Sequence, residues 1–422
     1  MLMLRLYSFV WWLVLPLALA RLWWRGRKEP GYRAHIAERL GFYAEDAAAK
    51  TIWVHAVSVG ETRAAEPLID ALLLAYPQHQ ILLTCMTATG RATGAALFGD
   101  NPRVQQAFLP YDTLSMTRRF VAHFKPAVCV LMETEVWPSL IASCAAAAVP
   151  VALVNARLSE RSLRSAQRFE RLLGQAARQV TLVAAQTQAD ADRLQIMGAR
   201  HVAVTGSMKF DIIPPPAMLA AGAALRTQMG SRQVLLCAST REGEETLLLQ
   251  AYMAATLPRE FLLVIVPRHP QRFDEVAKLI EGQGLKLQRR SQLGAGGVSV
   301  DTHILLGDTM GEMFAYYAAC DLAFIGGSLL PLGGQNLIEA AACGKPVLFG
   351  PHMFNFAQVS VAAIAAGSAC QLADAGQVIR QAVTLLGSKE ELSRMAGAAA
   401  AFVECDKGAT QRTAVLLEEI IR

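Results

Sequence analysis

Short apolar runs, separated by segments of helical period, leave this chain few folds to choose from. In the first half the runs are Thr51–Val57, Gln80–Cys85, Ala127–Met132, Val149–Asn155, Thr181–Gln186 and His201–Thr205. Each is too short for a helix and rich in Val, Ile and Leu, as strands buried on both faces are. The stretch Phe210–Pro216 (FDIIPPP) breaks the pattern. Three prolines in a row continue neither a helix nor a central strand, so they mark a linker. The pattern then restarts at Gln233–Ala238, Phe261–Val266, His303–Leu306, Leu322–Ile325 and Pro346–Phe349. Repeated strand–helix–strand units with right-handed crossovers predict two facing, doubly wound, Rossmann-like α/β domains. The expected division is an N-terminal segment over 1–30, a first domain over 31–210 and a second over 211–422.

The first thirty residues differ in kind. Residues 6–20 (LYSFVWWLVLPLALA) form an uncharged apolar run between Arg5 and Arg21, followed by Trp23, Trp24 and the basic cluster Arg25, Arg27 and Lys28. Tryptophans beside basic residues suit the bilayer interface, and snorkelling arginines lengthen the usable segment. Ala-Leu-Ala at 18–20 resembles a signal-peptide cleavage site, and a buried core helix is the plainest alternative. The basic cluster lies after the run, however, which favours an uncleaved anchor, spanning or interfacial, with the following body in the cytosol.

Composition narrows the function. Hydrophobic residues make up 53% and charged residues 18%, which excludes a disordered chain. A net charge of +5 suits anionic small molecules or a membrane surface better than a nucleic acid. The 8 cysteines show no C-x-x-C spacing and the histidines no H-E-x-x-H, so buried free thiols are expected and no metal centre.

The second half carries the signals for a phosphate-bearing ligand. An apolar strand runs into Gly326-Gly327-Ser328 and then Gly333-Gly334-Gln335-Asn336-Leu337-Ile338-Glu339, with a helix expected from about Asn336. Glycines let backbone amides approach an anion, and Glu339 is placed to accept hydroxyls such as those of a ribose. Asn336 and Glu339 also fit a capping box, and the two readings are compatible. Absence of G-x-G-x-x-G after the first strand of either half argues against an NAD site. Arg268, in Pro267-Arg268-His269-Pro270, is placed for a phosphate or carboxylate. Ser239 or Thr240 is expected to cap the helix that follows, with Arg241 within reach of the cleft. Gly307 to Met313 (GDTMGEM) offers a flexible backbone and a helix start near Gly311.

The first half carries the candidates for proton chemistry. Glu61, in HAVSVGE (55–61), stands at a helix start beyond a strand, where the helix dipole should keep it ionised as a general base. Glu133 and Glu135 follow another strand; in an extended segment they would share a face, and Pro138 would open the next helix. Lys209 lies at the last strand end before the linker. The arginines at 157, 161, 164, 168, 171 and 178 form a stripe at helical spacing, either a solvated face or one turned to anionic headgroups.

Taken together these residues resemble the Kdo (3-deoxy-D-manno-octulosonic acid) transferases of Gram-negative lipopolysaccharide synthesis. The matching strings are HAVSVGET (55–62), METEVWP (132–138), NARLS (155–159), TGSMKFD (205–211), PRHPQRF (267–273), GDTMGEM (307–313) and the long FIGGSLLPLGGQNLIEAAACGKPVLFGPHMFNF (324–356). Arg241 stands where relatives can carry histidine. The resemblance implies a GT-B-type inverting glycosyltransferase that moves Kdo from CMP-Kdo to the lipid A precursor, lipid IVA, on the cytoplasmic side of the inner membrane. It implies Glu61 as base, Glu133 (with Glu135 a close rival) and Lys209 as transition-state helpers, and no metal or other cofactor. It places CMP on Arg268 and His269, on Met310, Gly311 and Glu312, and on Asn336, Leu337, Ile338 and Glu339. The alternatives are another two-domain nucleotide-sugar enzyme, such as a nucleotide-sugar epimerase, and a non-catalytic nucleotide-binding protein tethered to the membrane.

Overall fold

A computed structural model describes residues 2–27, 29–44, 50–294 and 296–421. Lys28 of the basic cluster lies outside the described residues. The chain forms two compact units, Met1–Asp211 with Lys407–Arg422, and Ile212–Asp406.

The first unit is built on a seven-stranded sheet: β1 (Thr51–His55), β2 (Gln80–Cys85), β3 (Val104–Phe108), β4 (Val128–Met132), β5 (Val151–Ala156), β6 (Leu182–Ala185) and β7 (Val202–Val204), in the order β3-β2-β1-β4-β5-β6-β7. The second has β8 (Gln233–Thr240), β9 (Phe261–Pro267), β10 (Leu287–Arg289), β11 (Ile304–Leu306), β12 (Leu322–Ile325), β13 (Val347–Phe349) and β14 (Ala369–Gln371), in the order β10-β11-β9-β8-β12-β13-β14. Every strand pairing is parallel. Each sheet is covered by helices on both faces, and side chains of β1, β4 and β8 are fully buried in separate cores of the two units. The strand order reverses between β1 and β4 in the first unit and between β8 and β12 in the second. In such sheets the crevice beyond the carboxyl ends at that switch point receives the ligand.

Two expectations change. The second domain does not run to the C-terminus: Lys407–Arg422 belongs to the first unit. The helix Ala409–Glu418 buries Ala409 and Leu417 in that core with Leu68 and Leu72. The Asp211 carboxylate fastens the return by accepting the N–H groups of Gly408 (2.6 Å) and Thr410 (2.5 Å). The proline string does end the first unit, and Pro216 opens the helix Pro216–Met229. The arginine stripe does not lie on one helix either. It is split between Glu160–Gln167 and Glu170–Gln179, with the break at Arg168 and Phe169.

The N-terminal helix Leu2–Arg25 is long and apolar enough to cross a membrane, and it has two apolar faces. Trp11, Leu15, Ala18, Leu19 and Leu22, at helical spacing, pack on Leu40, Tyr111 and Met116. Ser8 Oγ on the same face accepts the Leu114 N–H at 3.0 Å. Leu2, Leu6, Phe9, Leu13 and Leu17 point away and are exposed.

Candidate active site

At the switch point of the first unit, the segments that follow β1 and β4 each carry a carboxylate. After β1 the chain turns at Ser58 into the helix Val59–Ala75, with Glu61 in its first turn. Glu61 Oε2 accepts the Val57 N–H (2.8 Å) and Oε1 the Ser58 hydroxyl (3.0 Å), which fixes the carboxylate in one orientation. The helix start does not prevent an upward shift of the Glu61 pKa. Burial pushes its pKa up and the Glu133 charge adds to this, against the opposing pull of the Val57 and Ser58 hydrogen bonds and of Lys209. His55, beneath it, is fully buried, and burial pushes its pKa down to about 3. It is therefore a neutral ring, held by Thr84 Oγ1 at 2.8 Å.

Glu133 follows β4 in the left-handed region, at φ 55°, instead of the extended backbone expected. Such backbone in a non-glycine residue is costly and gathers at functional sites. Its side chain is buried between two cations, with Lys209 Nζ 2.8 Å from Oε1 and Arg157 Nε 3.1 Å from Oε2. Glu133 and Lys209, predicted separately, are thus in direct contact. In the sequence Arg157 belongs to the arginine stripe and to the string NARLS (155–159), neither of which gives it a role of its own. Its place straight after β5 was the signal that could have singled it out. Asn155, also left-handed (φ 50°), accepts the Met208 N–H through Oδ1 (3.1 Å) and so holds the turn Met208–Phe210 that carries Lys209. Glu135 turns elsewhere: Trp137 Nε1 donates to its Oε2 at 2.8 Å. Burial first, then the charges of Glu61 and Glu133, push the Glu135 pKa up to about 7. Pro138 opens the following helix as predicted.

In the second unit the glycine-rich loop is used differently from the expectation. Glu244, completely buried, accepts four backbone N–H groups: Gly327 (2.6 Å) and Arg241 (2.9 Å) on Oε2, and Ser328 and Leu329 (2.9 Å each) on Oε1. The amides of Gly327 and Ser328 therefore already hold an internal anion. Ser239 and Thr240 do not cap the next helix. It starts at Glu244 after Gly243 (φ 89°), and Thr240 Oγ1 donates to buried Glu245 (2.8 Å), which also pairs with Arg272 (2.7 Å).

The helix expected from Asn336 begins at Ile338 and is short, Ile338–Ala342. The capping box is altered accordingly. Asn336 Oδ1 accepts the Ile338 N–H (3.1 Å), and its Nδ2 donates to Glu339 Oε1 (3.2 Å). Leu337 and Ile338 are fully buried, and the Ile338 N–H is already taken by Asn336.

Beyond β9, Arg268 and His269 are exposed, and Arg268 N–H is fixed on Thr240 O at 2.9 Å. Burial, then Arg241, Arg268 and Arg272, lower the His269 pKa. Beyond β11, Glu312 is held by Thr309 Oγ1 (2.5 Å) and Arg290 Nη2 (3.2 Å), leaving Met310 exposed and Gly311 at φ 81° at the loop tip. The helix there begins at Met313, two residues later than expected. Among the described residues no group of three or more His, Cys, Asp or Glu side chains is placed to hold a metal ion.

Residues 34–212 match the family described as 3-deoxy-D-manno-octulosonic-acid transferase (kdotransferase). The 3-deoxy-D-manno-octulosonic acid transferase of Bordetella pertussis is 46% identical, over 96% of this chain and 96% of the relative. The enzyme of the same name from Haemophilus influenzae is 35% identical, over 96% and 95% respectively. Among solved structures, UDP-GlcNAc 2-epimerase from Neisseria meningitidis, bound to UDP-GlcNAc, superposes with a TM-score of 0.59 at 17% identity. That match covers 88% of this chain and 100% of the epimerase, and it reports on fold alone.

Proposed function

Since the chain belongs to the 3-deoxy-D-manno-octulosonic acid (Kdo) transferase family, we propose that it transfers Kdo from CMP-Kdo to the lipid A precursor, lipid IVA, with inversion at the anomeric carbon. One observation carries the assignment of chemistry to residues. At a single switch point, an oriented and raised-pKa Glu61 lies within electrostatic reach of a Glu133 that is clamped by Lys209 and Arg157.

In this mechanism Glu61 takes the proton of the acceptor hydroxyl. The oxygen then attacks the anomeric carbon as CMP leaves from the opposite face. A base whose pKa is raised toward the working pH removes a hydroxyl proton better than an ordinary carboxylate does. Glu133 holds Lys209 in place, and the ammonium offsets negative charge on the reacting sugar or the leaving phosphate. The donor nucleotide takes Arg268 and His269, the loop Met310, Gly311 and Glu312, and the segment Asn336, Leu337, Ile338 and Glu339. The reaction needs no metal to bridge phosphates, because CMP has one phosphate.

The helix Leu2–Arg25 serves as the membrane attachment, on the cytoplasmic side of the inner membrane. A spanning arrangement would strip Trp11, Leu15 and Leu22 from Tyr111 and Met116, whereas an in-plane one keeps that packing and gives the outer face to lipid. The helix Glu170–Gln179 packs beside it, so exposed Arg171 and Arg178, with Arg161, Arg164 and Arg168 before them, suit anionic headgroups on the same side.

The test is radiolabelled Kdo supplied as CMP-Kdo to the purified chain with lipid IVA. Label is expected in the lipid fraction. Turnover of a nucleotide sugar without lipid labelling would point to the epimerase reading instead.

A further inference from the structure

The donor assigned above carries two separate anions, the phosphodiester that joins CMP to the sugar and the C1 carboxylate of the sugar acid. The glycine loop beyond β12 would be the ordinary receptor for one of them, but its amides are taken. Glu244 is a resident anion in that nest. Recognition of donor charge in this unit then falls to side chains. Three arginines gather around His269 at the ends of β8 and β9. Arg272 is neutralised by Glu245 at 2.7 Å and Glu275 at 2.9 Å. Arg268 and Arg241 make no ion pair with a carboxylate among the described residues.

Arg241 is the better placed of the two for the sugar. Its N–H is pinned by Glu244, the same carboxylate that fixes Gly327–Leu329, so one buried group ties the end of β8 to the end of β12 across the switch point. A Cβ built on Gly327 would stand 3.6 Å from Arg241 Cγ, so the arginine stem lies over the glycine loop. Arg268 is one strand further out, after β9. A guanidinium fork takes a carboxylate or a phosphate bidentately, one anion to each fork.

We infer that Arg241 is a specificity-determining residue that binds the C1 carboxylate of the donor sugar, while Arg268 serves the phosphate, Glu244 acting as the positioning residue for Arg241. The inference rests on CMP-Kdo being the donor.

The experiment compares full-length wild type, Arg241→Ala and Arg268→Ala in two measurements: calorimetric binding of CMP, which has the phosphate and no carboxylate, and the KM for CMP-Kdo. Arg241→Ala is expected to bind CMP within about twofold of wild type and to raise the donor KM at least about tenfold, the scale of one lost charge-assisted contact. Arg268→Ala is expected to weaken both. Arg241→Lys, which keeps the charge and loses the fork, should recover part of the KM, and Arg241→Gln serves if the alanine variant is unstable. An unchanged donor KM in Arg241→Ala, or equal losses toward CMP and CMP-Kdo, overturns the assignment. A wild type that binds CMP and does not use CMP-Kdo overturns the proposed function and this inference together. A wild type that uses CMP-Kdo beside an indifferent Arg241→Ala overturns only the inference.

Discussion

Glu61→Gln removes a proton acceptor and almost nothing else. The amide is isosteric, its oxygen can keep the Val57 N–H (2.8 Å), and the Ser58 hydroxyl can turn to accept from the new amide group. General-base catalysis is typically worth about a hundredfold or more, or about 2.7 kcal/mol of barrier, so kcat should fall by at least that factor with CMP binding unchanged. Stability should move the other way. Burial raises the Glu61 pKa on folding, so between the ordinary and the raised value the native state holds a proton that the unfolded chain has released. In that window native stability falls as pH rises, and above the raised value the full penalty of a buried charge is present. Glutamine carries no such penalty. It also relieves the repulsion from Glu133 and Glu135. The variant should therefore match wild type in acid and exceed its melting temperature at pH above the raised Glu61 pKa. Steady-state kinetics with saturating donor, and thermal melts across a pH series, read both effects. Near-normal turnover in a folded Glu61→Gln protein would refute the base assignment. A lower melting temperature at every pH would show that the carboxylate is structural.

Glu135→Gln should leave the acid limb of the kcat/KM profile in place, since burial and the Glu133 charge raise the Glu61 pKa and the Glu61–Glu135 repulsion falls on Glu135; a limb that moves would make Glu135 part of the titrating base. Glu244→Gln leaves two of four buried N–H groups facing an amide NH2, at about 1–3 kcal/mol each, so urea denaturation should show about 2–6 kcal/mol lost. Stability within error of wild type would mean that the loop has another way to satisfy those amides. Replacing Arg161, Arg164 and Arg168 with Gln should weaken the salt dependence of sedimentation with anionic vesicles, because three of the five exposed arginines facing the headgroups are removed while the apolar helix stays. Salt dependence equal to wild type would leave these arginines as a solvated face.

What could be read from the sequence follows burial. Strands at the middle of each sheet, such as Val128–Met132 and Phe261–Pro267, are apolar throughout and visible as runs. β3 (VQQAF), β10 (LQR) and β14 (ACQ) show no such run; all three are edge strands, and an edge tolerates polar residues. Glu61, Glu133 and Lys209 stand out as candidates because each follows a strand end, where ligands of such sheets sit. The roles of Glu244 and Asp211 do not. Glu244 looks like any first-turn acid until the amide it accepts, Gly327, is known to be adjacent across 83 residues. Asp211 meets Gly408 across 197 residues, so the return of the C-terminal helix to the first unit could not be seen in local pattern.

The two units share a parallel-sheet architecture and a switch point, yet they fill the crevice with opposite charge. Between β1 and β4 three carboxylates gather, and the two cations present are spent on holding one of them, Glu133. Glu61 and Glu135 make no ion pair among the described residues, and their raised pKa values suit proton transfer. Between β8 and β12 the arrangement is inverted. Glu244 is buried and satisfied by backbone amides, Glu245 is paired with Arg272, and Arg241 and Arg268 are left without an ion pair among the described residues. A fold of this kind supplies two crevices without deciding what either does. On the proposed function, the division into a site that takes a proton and a site that takes anions comes from which charges each unit neutralises internally. Reversing the pairing at one residue, Glu133 or Glu244, would disturb that division more than removing any single apolar contact in the cores beneath.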